Sequence, residues 1–250
     1  GLHSGVSRSN LTLVSMAESF CERLVESFES RPEKTAMRIV GVEGNVYTWG
    51  EMLRSIRSIA YRLELEGVSQ GDRVALIGEN HPNWAIAYLG TLLRGAVIVP
   101  LDPHGEIETI TNFLENSEAR VAFLSPDQTE RFQQIKEKLG RHIPAVIWST
   151  TSSPPYEGGV DAASADGVVL SSIGDADKVD SQAKNHPVPI KNIGTPLLRK
   201  EGSLRHNFAD WAATEFPAEF ASRTPPARDE DMAVLMYTSG TTGTPKGVPL

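Results

Sequence analysis

Residues 238–247, near the end of the 250-residue chain, gather groups suited to one chemical task. Gly240, Gly243 and Gly247 let the backbone approach a ligand closely. Successive N–H groups can then converge on an anion as a nest. Thr238, Ser239, Thr241, Thr242 and Thr244 add hydroxyl donors, and Lys246 adds a positive charge. Each charge-assisted contact contributes about 1.5–3 kcal/mol, so a few of them can hold a polyphosphate. A lone Ser/Thr/Gly loop after a buried strand is usually only a turn. The Pro245-Lys246-Gly247 ending reverses that reading in favour of phosphate binding. The loop is not a Walker A motif, which needs Gly-Lys-Ser/Thr at the start of a helix. Here Pro245 precedes Lys246, Gly247 follows it, and Pro249 disfavours a helix. A mobile, hydroxyl-rich flap after a strand is expected instead.

Such a loop must hang from a frame. Met232 to Tyr237 is a buried-strand candidate that runs straight into it. Upstream, short apolar runs alternate with helical patterns. Val74-Ala75-Leu76-Ile77, Ala96-Val97-Ile98-Val99, Val121-Ala122-Phe123-Leu124 and Ala145-Val146-Ile147-Trp148 have strand length and no alternation. Between them lie helices marked by Trp84, Ile86 and Leu89, by Ile107, Ile110 and Leu114, and by Phe132, Ile135 and Leu139. Unalternating strands separated by helices predict a parallel sheet covered on both faces. Right-handed crossovers make it an α/β, doubly wound sheet flanked by helices. Further upstream, apolar spacing near four predicts a helix over 16–30, then a hairpin from Ala36–Val40 and Val46–Thr48. A second helix opens at the capping-box spacing of Thr48 and Glu51 and stops near Gly67.

Four regions follow: 1–67, a helix, hairpin and helix belonging to a second, incomplete subdomain; 68–148, the βα repeat; 149–229, a polar, partly ordered excursion; and 230–250, a strand and phosphate-binding loop returning to the sheet. In the excursion only Val168-Val169-Leu170 and Phe208 to Phe220 could pack much. Net charge is −8, so no cationic surplus exists for general nucleic-acid binding. No apolar run reaches the ~20 residues of a membrane span. The single cysteine, Cys21, excludes an internal disulfide and a Cys-based zinc site. It reads as a small buried hydrophobe in an intracellular chain. His81 and His104 stand beside prolines in loops after strands and are read as caps or exposed groups. Asp102 is read as a turn residue, Trp84 and Tyr88 as core, and Lys136-Glu137-Lys138 as a solvated helix face.

The unbroken run Tyr237-Thr238-Ser239-Gly240-Thr241-Thr242-Gly243-Thr244-Pro245-Lys246-Gly247-Val248 resembles the signature loop of the adenylate-forming (AMP-binding) enzymes. That superfamily includes acyl-CoA synthetases, adenylation domains of peptide synthetases and beetle luciferases. Tyr47 to Glu51, Gly71 to Ala75, Glu79-Asn80 and Gly95 to Pro103 are similar in the same order. The resemblance covers most of the chain outside 149–229, and is strongest to long-chain fatty acyl-CoA synthetases.

The resemblance implies an acid–thiol ligase. A carboxylic acid, expected to be a fatty acid, attacks the α-phosphate of ATP; pyrophosphate leaves, and coenzyme A takes the acyl group from the adenylate. Lys246 would be the catalytic cation on the departing pyrophosphate. Thr238, Ser239, Gly240, Thr241, Thr242, Gly243 and Thr244 would bind the phosphates, and Thr238 would touch Mg2+. A carrier-protein thiol as acceptor, and a non-catalytic chain that binds nucleotide or a partner, remain as alternatives. The family's adenine site, hinge and C-terminal lysine all lie downstream of such a loop. The chain is therefore expected to be an N-terminal portion, inactive alone and exposing apolar surface. Its expected location is the cytoplasm, with membrane contact at most peripheral. Acid, chain length, oligomeric state and true N-terminus stay open.

Overall fold

In the computed structural model, which describes residues 19–40, 46–148, 205–223, 225–238 and 246–250, the early helices begin where side chains can cap them. Helix α1 (Phe20–Glu29) opens on a capping box between Ser19 and Glu22. After the antiparallel strands β1 (Thr35–Arg38) and β2 (Val46–Thr48), helix α2 (Trp49–Leu65) opens on the predicted one. The Glu51 N–H donates to Thr48 Oγ1 at 3.2 Å, and the Thr48 N–H donates to the Glu51 carboxylate at 2.8 Å. Such a cap stabilises a helix by about 1 kcal/mol. Gly67 ends this helix region with φ +79°, a conformation that favours glycine.

The predicted alternation then unfolds in order: β3 (Arg73–Ile77), α3 (Pro82–Leu93), β4 (Val97–Leu101), α4 (Ile107–Ser117), β5 (Val121–Leu124), a short 3-10 turn, α5 (Thr129–Leu139) and β6 (Ala145–Ile147). These strands form one parallel sheet, completed by a fifth strand, β7 (Arg205–Asn207), in the order β4-β3-β5-β6-β7. Successive side chains on a strand face opposite ways, so the same strands feed two buried clusters. Val74, Leu76, Ile98, Phe123 and Val146 face α2 and α3. Ala75, Ile77, Val99, Leu124 and Ala145 face α4 and α5. The sheet is thus doubly wound, with helices on both faces.

Residues 205–212, within the polar, partly ordered excursion of the sequence reading, form β7 and helix α6 (Phe208–Ala212). Phe208 and Trp211 are buried, edge-on to Phe123 at ring-centroid distances of 5.9 and 5.8 Å. Three polar residues pair as an edge strand because backbone groups, not side chains, make the ladder. Described residues of the 1–67 region pack on this sheet as well. Phe28, Tyr47, Met52, Ile56, Ile59 and Leu63 join the cluster that covers β3 and β5. An amphipathic face announces that a helix must be covered, not by what. A short helix α7 (Ala218–Ala221) follows, then β8 (Leu235–Thr238) and β9 (Lys246–Pro249), which pair antiparallel as a separate ribbon. Val168-Val169-Leu170 lies outside the described residues.

Candidate active site at the base of the hydroxyl-rich loop

Thr238 and Lys246 are opposed partners in the β8–β9 ladder. Directly opposite residues of an antiparallel pair share a face, so the two side chains leave the ribbon on the same face at the base of the loop. Both residues are exposed. No carboxylate among the described residues is paired with Lys246. Ser239, Gly240, Thr241, Thr242, Gly243 and Thr244 lie outside the described residues. The chain re-enters at Lys246 as a strand, not as a helix, which agrees with the exclusion of a Walker A loop.

Where the loop base sits follows from one contact with the sheet. Val234 forms a parallel bridge with Ile98 of β4, and the Ile98 N–H donates to the Ala233 carbonyl at 3.0 Å. β8 therefore runs in the direction of β4. Counted from that bridge, Thr238 and Asp102 are equally far along their strands, so the loop base lies at the carboxyl edge of the sheet. Ligands of open α/β sheets bind outside that edge. Among the described residues the strand returns to the sheet by this bridge alone; the rest of its pairing is with β9.

The ribbon has an inner and an outer face. On the inner face Leu235 and Tyr237 pack against the cluster beneath α4. Gly247 lies across from Tyr237, and a Cβ there would come within 2.9 Å of Leu235 Cδ1. A side chain at that position would have to displace the tip of Leu235. The Tyr237 ring stacks on Phe113 of α4 at 4.5 Å and 15°, and its hydroxyl donates to Asn116 Oδ1 at 2.6 Å. Burial pushes the Tyr237 phenol above its ordinary pKa, which keeps it a donor at neutral pH. The outer face carries Met236 opposite Val248, both exposed, beside the Thr238–Lys246 pair.

Neighbouring loops on the same edge are cross-braced. His104 Nε2 meets Glu79 Oε1 at 2.8 Å, with both side chains largely exposed. Asp102 Oδ1 accepts from the His104 N–H at 2.9 Å, so Asp102 is a turn residue as expected. Arg131 donates to the carbonyls of Pro103 and Gly105. His81 caps α3, its Nδ1 accepting from the Asn83 N–H at 3.1 Å, and burial lowers its pKa. Trp84 stacks with Tyr88 at the margin of the core. The crevice beyond β3 and β5, a common ligand site in this strand order, is filled. A Cβ on Gly78 would lie 2.6 Å from Trp148 and 2.7 Å from Ser125. Away from this edge Cys21 is buried, and burial raises its thiol pKa to about 11, the state of an inert core residue.

The arrangement suits a polyphosphate. Among the described residues it offers one cation, Lys246, and one hydroxyl, Thr238, at the carboxyl edge. For a divalent metal it offers little: among the described residues no cluster of three or more His, Cys, Asp or Glu side chains could hold one. Thr238 supplies one hydroxyl, so a metal here would depend chiefly on phosphate oxygens. No helix among the described residues is long and apolar enough to cross a membrane.

Comparisons with known proteins show the family and the fold. The family model described as AMP-binding enzyme matches residues 24–250. A long-chain-fatty-acid–CoA ligase of Bacillus subtilis is 27% identical over 235 residues, covering 91% of this chain and 35% of the relative. An L-proline–[L-prolyl-carrier protein] ligase of Streptomyces coelicolor is 26% identical over 216 residues, covering 86% and 32%. Among solved structures, a luciferase-like enzyme of the mealworm Zophobas morio has the same fold. Its TM-score is 0.64 at 17% identity, covering 94% of this chain and 43% of that one. The chain thus spans about a third of the length of these curated relatives.

Proposed function

The chain belongs to the AMP-binding enzyme family, and we propose that it supplies the phosphate-binding edge of an ATP-dependent acid–thiol ligase. The observation that carries this reading is the pairing of Thr238 with Lys246 at the base of the hydroxyl-rich loop, at the carboxyl edge of the sheet. In the reaction a carboxylate oxygen forms a bond to the α-phosphorus of ATP. The bond from that phosphorus to the bridging oxygen breaks, and pyrophosphate leaves with the electron pair. In this reading Lys246 and the loop hydroxyls would serve the charge that develops on the β- and γ-phosphates, where fixed donors lower the barrier most. Bound Mg2+ would neutralise part of the same charge, with Thr238 as its one contact from the described residues. A thiol, coenzyme A in this reading, then displaces AMP from the acyl adenylate. Likeness to long-chain-fatty-acid–CoA ligases supports a fatty acid as the substrate.

One alternative has its own support: a carrier-protein thiol in place of coenzyme A, suggested by similarity to two carrier-protein ligases. The test is ATP–pyrophosphate exchange by the full-length protein with fatty acids and amino acids in parallel. Exchange is expected with a fatty acid, and Lys246→Ala is expected to slow it about a hundredfold. Exchange unchanged in Lys246→Ala would remove the loop from the mechanism. Acyl transfer to a carrier protein but not to coenzyme A would select the alternative. The 250 residues alone are expected to form no acyl-CoA above background, because they span about a third of the length of the curated relatives.

A further inference from the structure

We infer that Asn116, on α4 and outside every motif of the loop, is a positioning residue for the phosphate-binding loop. It acts by latching Tyr237, the residue immediately before Thr238. The inference rests on the ligase reading above. The ribbon is tied to the parallel sheet at its far end, where Val234 bridges Ile98. From there to the loop base no further bridge to β4 forms among the described residues. What holds the loop-proximal end is Tyr237, stacked on Phe113 at 4.5 Å and hydrogen-bonded to Asn116 at 2.6 Å. The stack resists lifting of the strand. An offset ring can still slide over its neighbour, and the directional hydrogen bond opposes that sliding. The close fit of Gly247 over Leu235 passes the restraint to β9, and so to Lys246. Asn116 touches no ligand; it fixes where Thr238 and Lys246 stand. Because a charge-stabilising site loses effect when its donors shift by fractions of an ångström, loosening this latch should be felt at the phosphates and not at the acid.

The experiment measures exchange kinetics of the full-length protein carrying Asn116→Ala, Tyr237→Phe, or both. Asn116 is exposed, so its substitution leaves the melting temperature nearly unchanged. The expected result is a KM for ATP raised about three- to tenfold, the worth of one hydrogen bond, with the KM for the acid unmoved. The double variant is expected to be no worse than Tyr237→Phe alone, because Asn116→Ala breaks a contact that Tyr237→Phe has already removed. Equal changes in both KM values, or additive losses in the double variant, would overturn the inference, as would an Asn116→Ala enzyme that matches the unmodified one. If the unmodified protein shows no ATP-dependent exchange, the ligase reading itself fails, and the assignment of Asn116 with it.

Discussion

At the scale of single residues, the fold leaves little room where strands give way to loops. Gly78 shows this most directly. Trp148 and Ser125 occupy the space a side chain would need, 2.6 and 2.7 Å from where its Cβ would stand. Trp148 is buried and flanked by Phe208, so it cannot swing away. Gly78→Ala is therefore expected to destabilise the protein by about 1–3 kcal/mol, the usual cost of overpacking, measured by urea denaturation. A variant as stable as the parent would show that Trp148 can yield. Sequence made part of this scale legible. Lys246, the glycines and the hydroxyls announce their chemistry by type and spacing. Asn116 does not: 121 residues separate it from Tyr237, and nothing in a helix-face asparagine names such a partner. Gly78 likewise looks like any glycine after a strand until Trp148 is placed against it.

Individual elements follow their local signals where those are strong. The apolar runs at 74–77, 96–99 and 121–124 give strands, the second continuing through Pro100 to Leu101, and Thr48 with Glu51 gives a helix start, because burial and capping are decided nearby. β7 and β9 were not legible. Arg205-His206-Asn207 has no apolar run, and Lys246 to Pro249 contains both glycine and proline. Both pair only because a neighbouring strand presents free backbone groups. Helix α3 illustrates a local signal with a pH consequence. Its cap is a histidine whose Nδ1 must be unprotonated to accept the Asn83 N–H. Burial lowers the folded-state pKa of His81 below its unfolded value of 6.5. The unfolded chain then binds the proton more readily, so acid favours unfolding. This contribution is fully present above pH 6.5 and declines as pH falls below it. His81→Asn, which keeps a capping side chain but cannot titrate, is expected to flatten the loss of stability between about pH 7.5 and 5.5 relative to the parent. Equal pH slopes for the two proteins would refute it.

For the molecule as a whole, the parallel sheet does most of the organising. It sends α4 and α5 to one face, α2 and α3 to the other, and brings the loop base to its carboxyl edge. Alternating strands and helices made that architecture readable, whereas the covering of β5 by α6 depended on residues far along the chain. The last strand of this sheet also has a kinetic meaning. β3 to β6 are joined by connections of ordinary length, but β7 follows only after residues 148–204. Closing a loop costs entropy that rises by about 0.6 kcal/mol per doubling of its length. The final connection therefore closes at a cost about 1 kcal/mol above that of the 125–144 connection before it. Assembly should run in two acts, four strands collapsing first and β7 docking afterwards with Trp211 on its following helix. Refolding followed by fluorescence is expected to show a slow phase that Trp211→Phe abolishes and that a shorter 148–204 connection accelerates. Refolding in one step by every probe would count against it. Until that second act, Phe123 and Trp148 are expected to lack their Phe208 and Trp211 cover, so the newly made chain would pass through an interval of stickiness whose duration is set by a stretch of sequence far from the hydroxyl-rich loop.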